Sequence, residues 1–305
     1  MASGKHAADE AAVEEVDFNR VPTHEEEVRY QNIVFLKAVV PVLKPIIEDT
    51  PSLTKAFKNK QGVVQVSSLV TADDPDAKPS KSAIPGRAPR VATHFIFNNG
   101  EITVRTGEHE APNVEIEFPS REALNGFFLG DVDVKALPKI RGAVGNVGLL
   151  VAFVRALLTM ANLLGLTEAP EDPAQQALLT KCMFYLLSTG ISQLNKAKHP
   201  MFRKWAMKQP DRVYEFKVYG RPDLGAYVRV KGGRSKAARG EYTRSKPFFA
   251  MAFDSPESAL GILQDTLDMI EATVKSKLVM EGAPEYGAEL GDLMFAVGGY
   301  AQEAV

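Results

Sequence analysis

The sequence predicts an α+β protein of two similar units, each a five-stranded, mainly antiparallel sheet covered by helices. Three observations predict it: an internal repeat, one order of element signals in both copies, and an ordinary globular composition. The chain has 305 residues, 45% hydrophobic and 24% charged, enough for two domains that each bury a core. The expected division is 1–21 as an acidic mobile tail, 22–166 as the first domain with its N-terminal helices, and 167–305 as the second.

The repeat runs in order along the chain. Pro51, Lys55 and Val64 match Pro200, Lys204 and Val213 at an offset of 149. Gly107-Glu108 matches Gly240-Glu241 at an offset of 133. The 16-residue difference (149 − 133) points to the Pro-, Ser- and charge-rich stretch Thr71–Pro89 as an inserted loop. Phe118-Pro-Ser then matches Phe253-Asp-Ser, and Ala123-Leu124 matches Ala259-Leu260. Ile140-Arg-Gly-Ala matches Met280-Glu-Gly-Ala at an offset of 140.

Each copy opens with helices. Thr23 and Glu26 form a capping box, Pro41 and Pro45 break that helix into short pieces, and Thr50-Pro51 starts another. In the second copy Asp172-Pro173 opens a helix with Leu178, Leu179, Cys182, Met183 and Leu186 on its apolar side, and His199-Pro200 restarts it.

Four meandering strands follow. In the first copy they are 62–70, 90–97, 101–105 and 113–118, with Asn98-Asn99-Gly100 as a hairpin turn. Val114, Ile116 and Phe118 alternate with Glu115 and Glu117, the pattern of a half-buried strand. In the second copy the strands are 212–219, 225–231, 234–239 and 246–253. Both copies then turn helical after Ser120 and after Ser255-Pro256, form a short last strand (139–143 and 275–281), and close with a helix (146–164 and 286–300).

The second half of each unit resembles the sterol carrier protein type two family. The resemblance rests on FPSREALNGFFLGDVDVKALPKIRGA and FDSPESALGILQDTLDMIEATVKSKLVMEGA. In each, a strand ending in F-x-S precedes a short helix, an acidic turn, and a strand that opens with Lys and closes on Gly. The first copy holds the turn as Gly130-Asp131-Val132-Asp133; the second, with Gln264-Asp265-Thr266-Leu267-Asp268, lacks its glycine. The resemblance covers about 62–164 and 212–300. It implies two sterol-carrier-like domains, an apolar tunnel between sheet and helices, and lipid ligands such as sterols, fatty acids and fatty acyl-CoA. It carries over no catalytic residues.

Apolar residues of the late helices and last strands are the candidate tunnel lining. In the first copy these are Phe127, Phe128, Leu137, Leu149, Leu150, Phe153 and Leu157. In the second they are Phe249, Met251, Phe253, Leu263, Leu267 and Ile270, with Leu290, Met294 and Phe295 on the closing helix. Plain core packing is the alternative for each. Burying an acyl chain would contribute about 0.8 kcal/mol per methylene, so apolar contact alone could hold one.

Catalytic signatures are weak. No glycine-rich phosphate loop or G-x-S-x-G is present. Glu108-His109-Glu110 would alternate sides in a strand and not converge on an ion. His94 falls in a strand pattern, and Cys182, the one cysteine, reads as a buried inert thiol. The expected protein is therefore not an enzyme and needs no cofactor or metal.

Charge is uneven. Between Lys196 and Lys246 there are 15 Lys/Arg against 4 Asp/Glu, an excess of +11 (15 − 4) in a chain of net charge −2. That stretch suits a phosphate-bearing head group such as that of acyl-CoA, or an anionic membrane, or else is a solvated face. Residues 144–166 are about long enough to span a bilayer, but Arg155, Thr159 and Asn162 form one polar stripe, so they read as a core helix with one wet edge. With no secretory-type leader in the first 20 residues, the expected location is cytoplasmic. The expected activity is binding or transfer of an apolar lipid. Its partners would be the ligand and, transiently, an anionic membrane or a lipid-metabolising enzyme, with no nucleic acid. The alternative is a scaffold module for a lipid- or hydrocarbon-metabolising enzyme.

Overall fold

The computed structural model describes residues 18–78 and 86–305. Residues 1–17 of the expected tail and 79–85 of the expected insertion lie outside the described residues.

A long helical segment opens the fold. Helix α1 (His24–Val34) starts with the expected capping box: Glu26 N–H donates to Thr23 Oγ1 at 3.3 Å, and Thr23 N–H to Glu26 Oε2 at 2.9 Å. A π-helical turn over Phe35–Val39 and a 3₁₀ turn over Val40–Val42 follow. Pro41 has no N–H to give and its ring crowds the carbonyl four residues back, so the helix widens before it. Helices α2 (Leu43–Asp49) and α3 (Pro51–Phe57) complete the segment.

The first sheet comprises β1 (Gln61–Leu69), β2 (Arg90–Asn98), β3 (Glu101–Thr106), β4 (Val114–Phe118) and β5 (Lys139–Arg141), in the order β3-β2-β1-β4-β5. Its helices are α4 (Arg121–Leu129) and α5 (Val147–Leu164). The second half begins with α6 (Pro173–Lys196) and α7 (Pro200–Met207). Its sheet comprises β6 (Asp211–Val218), β7 (Arg221–Lys231), β8 (Arg234–Arg239), β9 (Phe249–Phe253) and β10 (Leu278–Glu281), with α8 (Pro256–Leu263), α9 (Met269–Val274) and α10 (Pro284–Gln302). Its order, β10-β9-β6-β7-β8, is the same topology written from the other edge.

The fold is thus α+β, with two five-stranded mixed sheets. The strands do not simply meander. β4 crosses to the far side of β1 and pairs with it in parallel, as β9 does with β6, while the remaining pairs are antiparallel. The register also corrects one sequence match. Val64 sits opposite Val114 and Tyr214 opposite Phe249, so Val64 corresponds to Tyr214 and not to Val213. A one-residue slip moves a side chain to the other face of its sheet. Other matched positions play equal parts: Gly107 N–H donates to Ala92 O and Gly240 N–H to Gly225 O, both at 2.7 Å. Ser120 and Ser255 both cap the next helix.

The long helices of the two halves lie between the sheets. Thr93 Oγ1 on β2 donates to Leu36 O at 2.5 Å. On α6, Phe184 stacks on Phe216 and Phe253 of the second sheet at 5.7 and 5.8 Å. Lys181 on α6 pairs with Asp49 on α2 at 2.6 Å, and one continuous apolar core joins both halves.

Candidate functional site, an open apolar face beside the fifth strand

Ile140 lies opposite Ile116, so it shares the helix-facing side of the first sheet. Ile116 is buried, yet Ile140 is 44% exposed. In the second sheet Met280 holds the same place opposite Met251, and α10 covers it. A Cβ on Gly287 would lie 2.7 Å from Met280 Sδ and 3.1 Å from the Phe249 ring, so a larger residue here requires Met280 and the ring to give way.

Equal spacing from Gly142 and Gly282 puts Val147 of α5 where α10 has Gly287. Continuing along each helix, α5 carries Val147, Val151, Val154 and Leu158 where α10 carries Gly287, Gly291, Met294 and Gly298. Gly287, Gly291 and Met294 are buried, while Val147, Val151 and Leu158 are about 60% exposed. These α5 residues are spaced i, i+4, i+7, i+11 and form one stripe. Helix α5 begins beside the end of β5, where Asn146 Nδ2 donates to Gly142 O at 2.9 Å and Asn113 O at 3.3 Å.

Next to β5, a groove of about 390 Å³ separates α4 from the turn leading into the strand, lined by Phe127, Val132, Ala136 and Leu137 with the acidic Glu122, Asp131 and Asp133. Phe127 rests on Phe118 with ring centres 5.2 Å apart. Asp133 caps the turn, accepting from Lys135 N–H at 2.8 Å. Val134 and Val144, outside the groove, are also exposed.

The candidate lining residues therefore divide three ways. Leu149, Phe153, Phe249, Met251, Phe253, Leu290 and Met294 are buried core. Phe128, Leu150, Leu157, Leu263 and Leu267 are half-buried against it. Phe127, Leu137, Ile270 and Phe295 are exposed, and of these Phe127 and Leu137 come together in the groove. Sequence reasoning missed Val147, Val151 and Ile140; the signal was available in α5, which is apolar on more sides than one core contact requires.

A second cluster was also missed. Glu115 and Glu117 of β4, expected to face solvent, are 2% and 3% exposed. The end of the insertion covers them: Arg87 bonds both carboxylates, and Arg90 reaches Glu115 at 2.8 Å, Glu117 at 2.7 Å and Glu108 at 3.2 Å. Gln65 and Ser67 also donate to Glu115, and Arg141 to Glu117 at 2.8 Å. Burial would raise both carboxyls, but these donors hold them below the usual range, Glu117 at about 2. The other end of the insertion is anchored on the helix side, where Asp74 and Asp76 bond Arg121 and Asp76 bonds Arg29. These carboxylates are saturated with cations, which suits a clamp rather than proton transfer. His109 stands edge-on to His94 at 5.0 Å, Glu108 is engaged by Arg90, and no group of three metal-ligating side chains occurs among the described residues. Burial pushes the Cys182 thiol up to about 12.

Two helical segments are long and apolar enough to cross a membrane among the described residues. The first, His24–Asp49, is 89% buried; Val147–Leu164 is 33% buried. The latter is more open than a core helix with one wet edge, because its valine stripe is exposed as well as its polar one.

Fold and site define an α+β protein with paired mixed sheets and an apolar face left open in one half. No protein-family model and no curated protein matches the chain. Among solved structures it is similar to a conserved hypothetical protein of Thermus thermophilus described as possibly a sterol carrier protein (17% identity, 39% of this chain, 87% of that one, TM-score 0.27). It is also similar to sterol carrier protein 2 (17% identity, 43% and 95%, TM-score 0.24). A third likeness is to a stereoselective inverting sec-alkylsulfatase from Pseudomonas sp. (14% identity, 54% and 29%, TM-score 0.23).

Proposed function

We propose that the chain binds an apolar lipid chain (fatty acid, acyl-CoA or sterol-like) without catalysis, at the open face formed by β5, α4 and α5. The observation that carries this reading is the contrast between halves: Ile140 and the α5 valines are exposed, while Met280 is half-buried against Gly287 of α10. On this reading the halves are a tandem duplication of a sterol-carrier-like unit, divided near residues 166 and 167, and the second copy has lost its opening. Apolar patches of this kind mark ligand or partner sites. The reading predicts co-purified lipid in native mass spectrometry and displacement of a fluorescent fatty acid. Leu137→Asp and Val151→Asp abolish displacement, whereas Phe295→Asp, on the exposed side of α10, does not. Equal loss in all three, or no displacement by the unaltered chain, rules it out.

The stripe on α5 also favours a second reading, a scaffold that docks on a lipid- or hydrocarbon-metabolising enzyme. Here Val151→Asp would abolish recovery of one constant partner and leave the fatty acid probe unbound throughout.

A further inference from the structure

The basic excess of the second half is not spread evenly over its surface. Of the four acids between Lys196 and Lys246, Glu215 is buried and accepts from Tyr242 N–H. Asp223 pairs with Arg221 at the far end of β7, and Glu241 follows the last residues of β8. Of these four, Asp211 alone lies at the other end of the sheet, where it is shared between Arg229 and Lys231.

That end is a junction of three elements tied together at Gly233. Gly233 N–H donates to Ala206 O at 3.2 Å, and its carbonyl accepts from Asn195 Nδ2 at 3.1 Å and Arg203 Nη1 at 2.5 Å. The backbone there is left-handed and a Cβ would collide with Met207 Sδ, so glycine fixes α7 on the β7–β8 turn. Around it Lys196, Lys208, Arg234 and Lys236 are exposed, and none forms an ion pair with a carboxylate among the described residues. Lys196 and Lys236 are close enough to repel. Met207 stands among them, 50% exposed.

We propose that this end of the second sheet docks on an anionic lipid bilayer, with Lys196, Lys208, Lys231, Arg234 and Lys236 facing the head groups and Met207 entering them. Four of these five cations are lysines, compact point charges suited to a diffuse anionic surface rather than to forked recognition of one phosphate. Of the five only Lys196 lines a pocket, a half-open one of about 820 Å³ shared with α1 and the start of α4; the other four line neither that pocket nor the groove beside β5. The rings beneath them, Phe202, Trp205 and Tyr214, are buried, so the stacking platform that single-stranded nucleic acid requires is missing here. An exposed apolar side chain ringed by cations is the arrangement that lies in a head-group layer. Lys208, Arg234 and Lys236 do not line the groove beside β5, so docking can be tested apart from lipid binding.

The test is sedimentation of the full chain with vesicles of phosphatidylserine and phosphatidylcholine in equal parts, and with phosphatidylcholine alone. The expected result is binding to the anionic vesicles that is at least about tenfold weaker on neutral ones and falls steeply as salt rises from about 0.1 M. Lys208→Glu/Arg234→Glu/Lys236→Glu weakens it about a hundredfold, and Met207→Ser weakens it with an unchanged salt dependence. Equal binding to neutral vesicles, full binding by the triple variant, or tighter binding to a DNA duplex than to vesicles overturns the proposal. Fatty acid displacement by the triple variant stays at the level of the unaltered chain, which reports that the fold is intact. Loss of displacement in the unaltered chain would strike the lipid-binding reading alone.

Discussion

His199 Nε2 lies 3.0 Å from the phenol oxygen of Tyr300, and that phenol in turn donates to Glu27 on α1. The chain of bonds ties the start of α7 to the last turn of α10 and to the first helix of the fold. It needs a proton on Nε2, which donates to the phenol oxygen. The other nitrogen, Nδ1, is buried without a partner among the described residues, beside the rings of Tyr30 and Phe202.

Burial lowers the His199 pKa from 6.5 to about 4, against a smaller opposing pull from Glu26 and with a minor lowering from Arg20. The unfolded chain therefore takes up a proton at a pH where the folded one does not. Stability from this site is full above about 6.5, declines as the pH falls toward 4, and is gone below that. The loss amounts to at most about 3 kcal/mol. Thermal unfolding followed between pH 7 and pH 4 should show it, and His199→Gln should flatten the slope in that window. An unchanged slope would mean that other groups dominate acid unfolding.

The Glu115 and Glu117 cluster acts at a lower pH. Its carboxyls are depressed, so their contribution is present above about 4.5 and lost as the pH falls toward 2. Removing one partner leaves a buried charge unmatched, which costs about 3–5 kcal/mol. Arg90→Met should therefore lower the chemical denaturation midpoint sharply. Arg141→Met should cost far less, because Arg141 is 52% exposed. Similar losses in the two variants would refute a clamp centred on Arg90.

These two sites show what a sequence can and cannot carry. Local chemistry was readable: the Thr23–Glu26 box, the break at Pro41, the restart at Thr50-Pro51, the Ser120 and Ser255 caps and the Gly107/Gly240 turns all act within a few residues, whereas Pro45, expected to break the helix, sits in the first turn of α2. The parallel pairing of β4 on β1 joins segments 50 residues apart in number, as in Val64 and Val114, and period-two alternation cannot distinguish water from a covering loop. Glu115 and Glu117 therefore read as wet when Arg87 and Arg90 lay over them. The open face was hidden for the opposite reason. Core leucines and the exposed Val147 and Val151 share one apolar helix, and only the sheet beneath decides which stripe is covered.

Cys182 offers a probe of global opening. Its side chain is fully buried on α6 and its thiol is pushed up to about 12 by that burial, so it should resist alkylation in the folded chain. Labelling should appear only with unfolding and follow the denaturation curve measured by ellipticity. Rapid labelling without denaturant would show that α6 opens locally, a motion the tight core around Phe184, Phe216 and Phe253 should prevent.

The two closing helices should respond oppositely to one exchange of residue. Gly287→Val forces a branched side chain into Met280 and the Phe249 ring, an overpacking that costs about 1–3 kcal/mol or moves α10 off β10. Val147→Gly removes an exposed side chain from the first turn of α5 and should cost no more than about 0.5 kcal/mol, the small difference in helix propensity between valine and glycine. If α10 moves, the second sheet acquires the open face that the first already has, and Gly287→Val should bind more fluorescent fatty acid than the unaltered chain. A destabilised variant with unchanged binding would place the difference between the halves elsewhere than in the Gly287–Met280 contact.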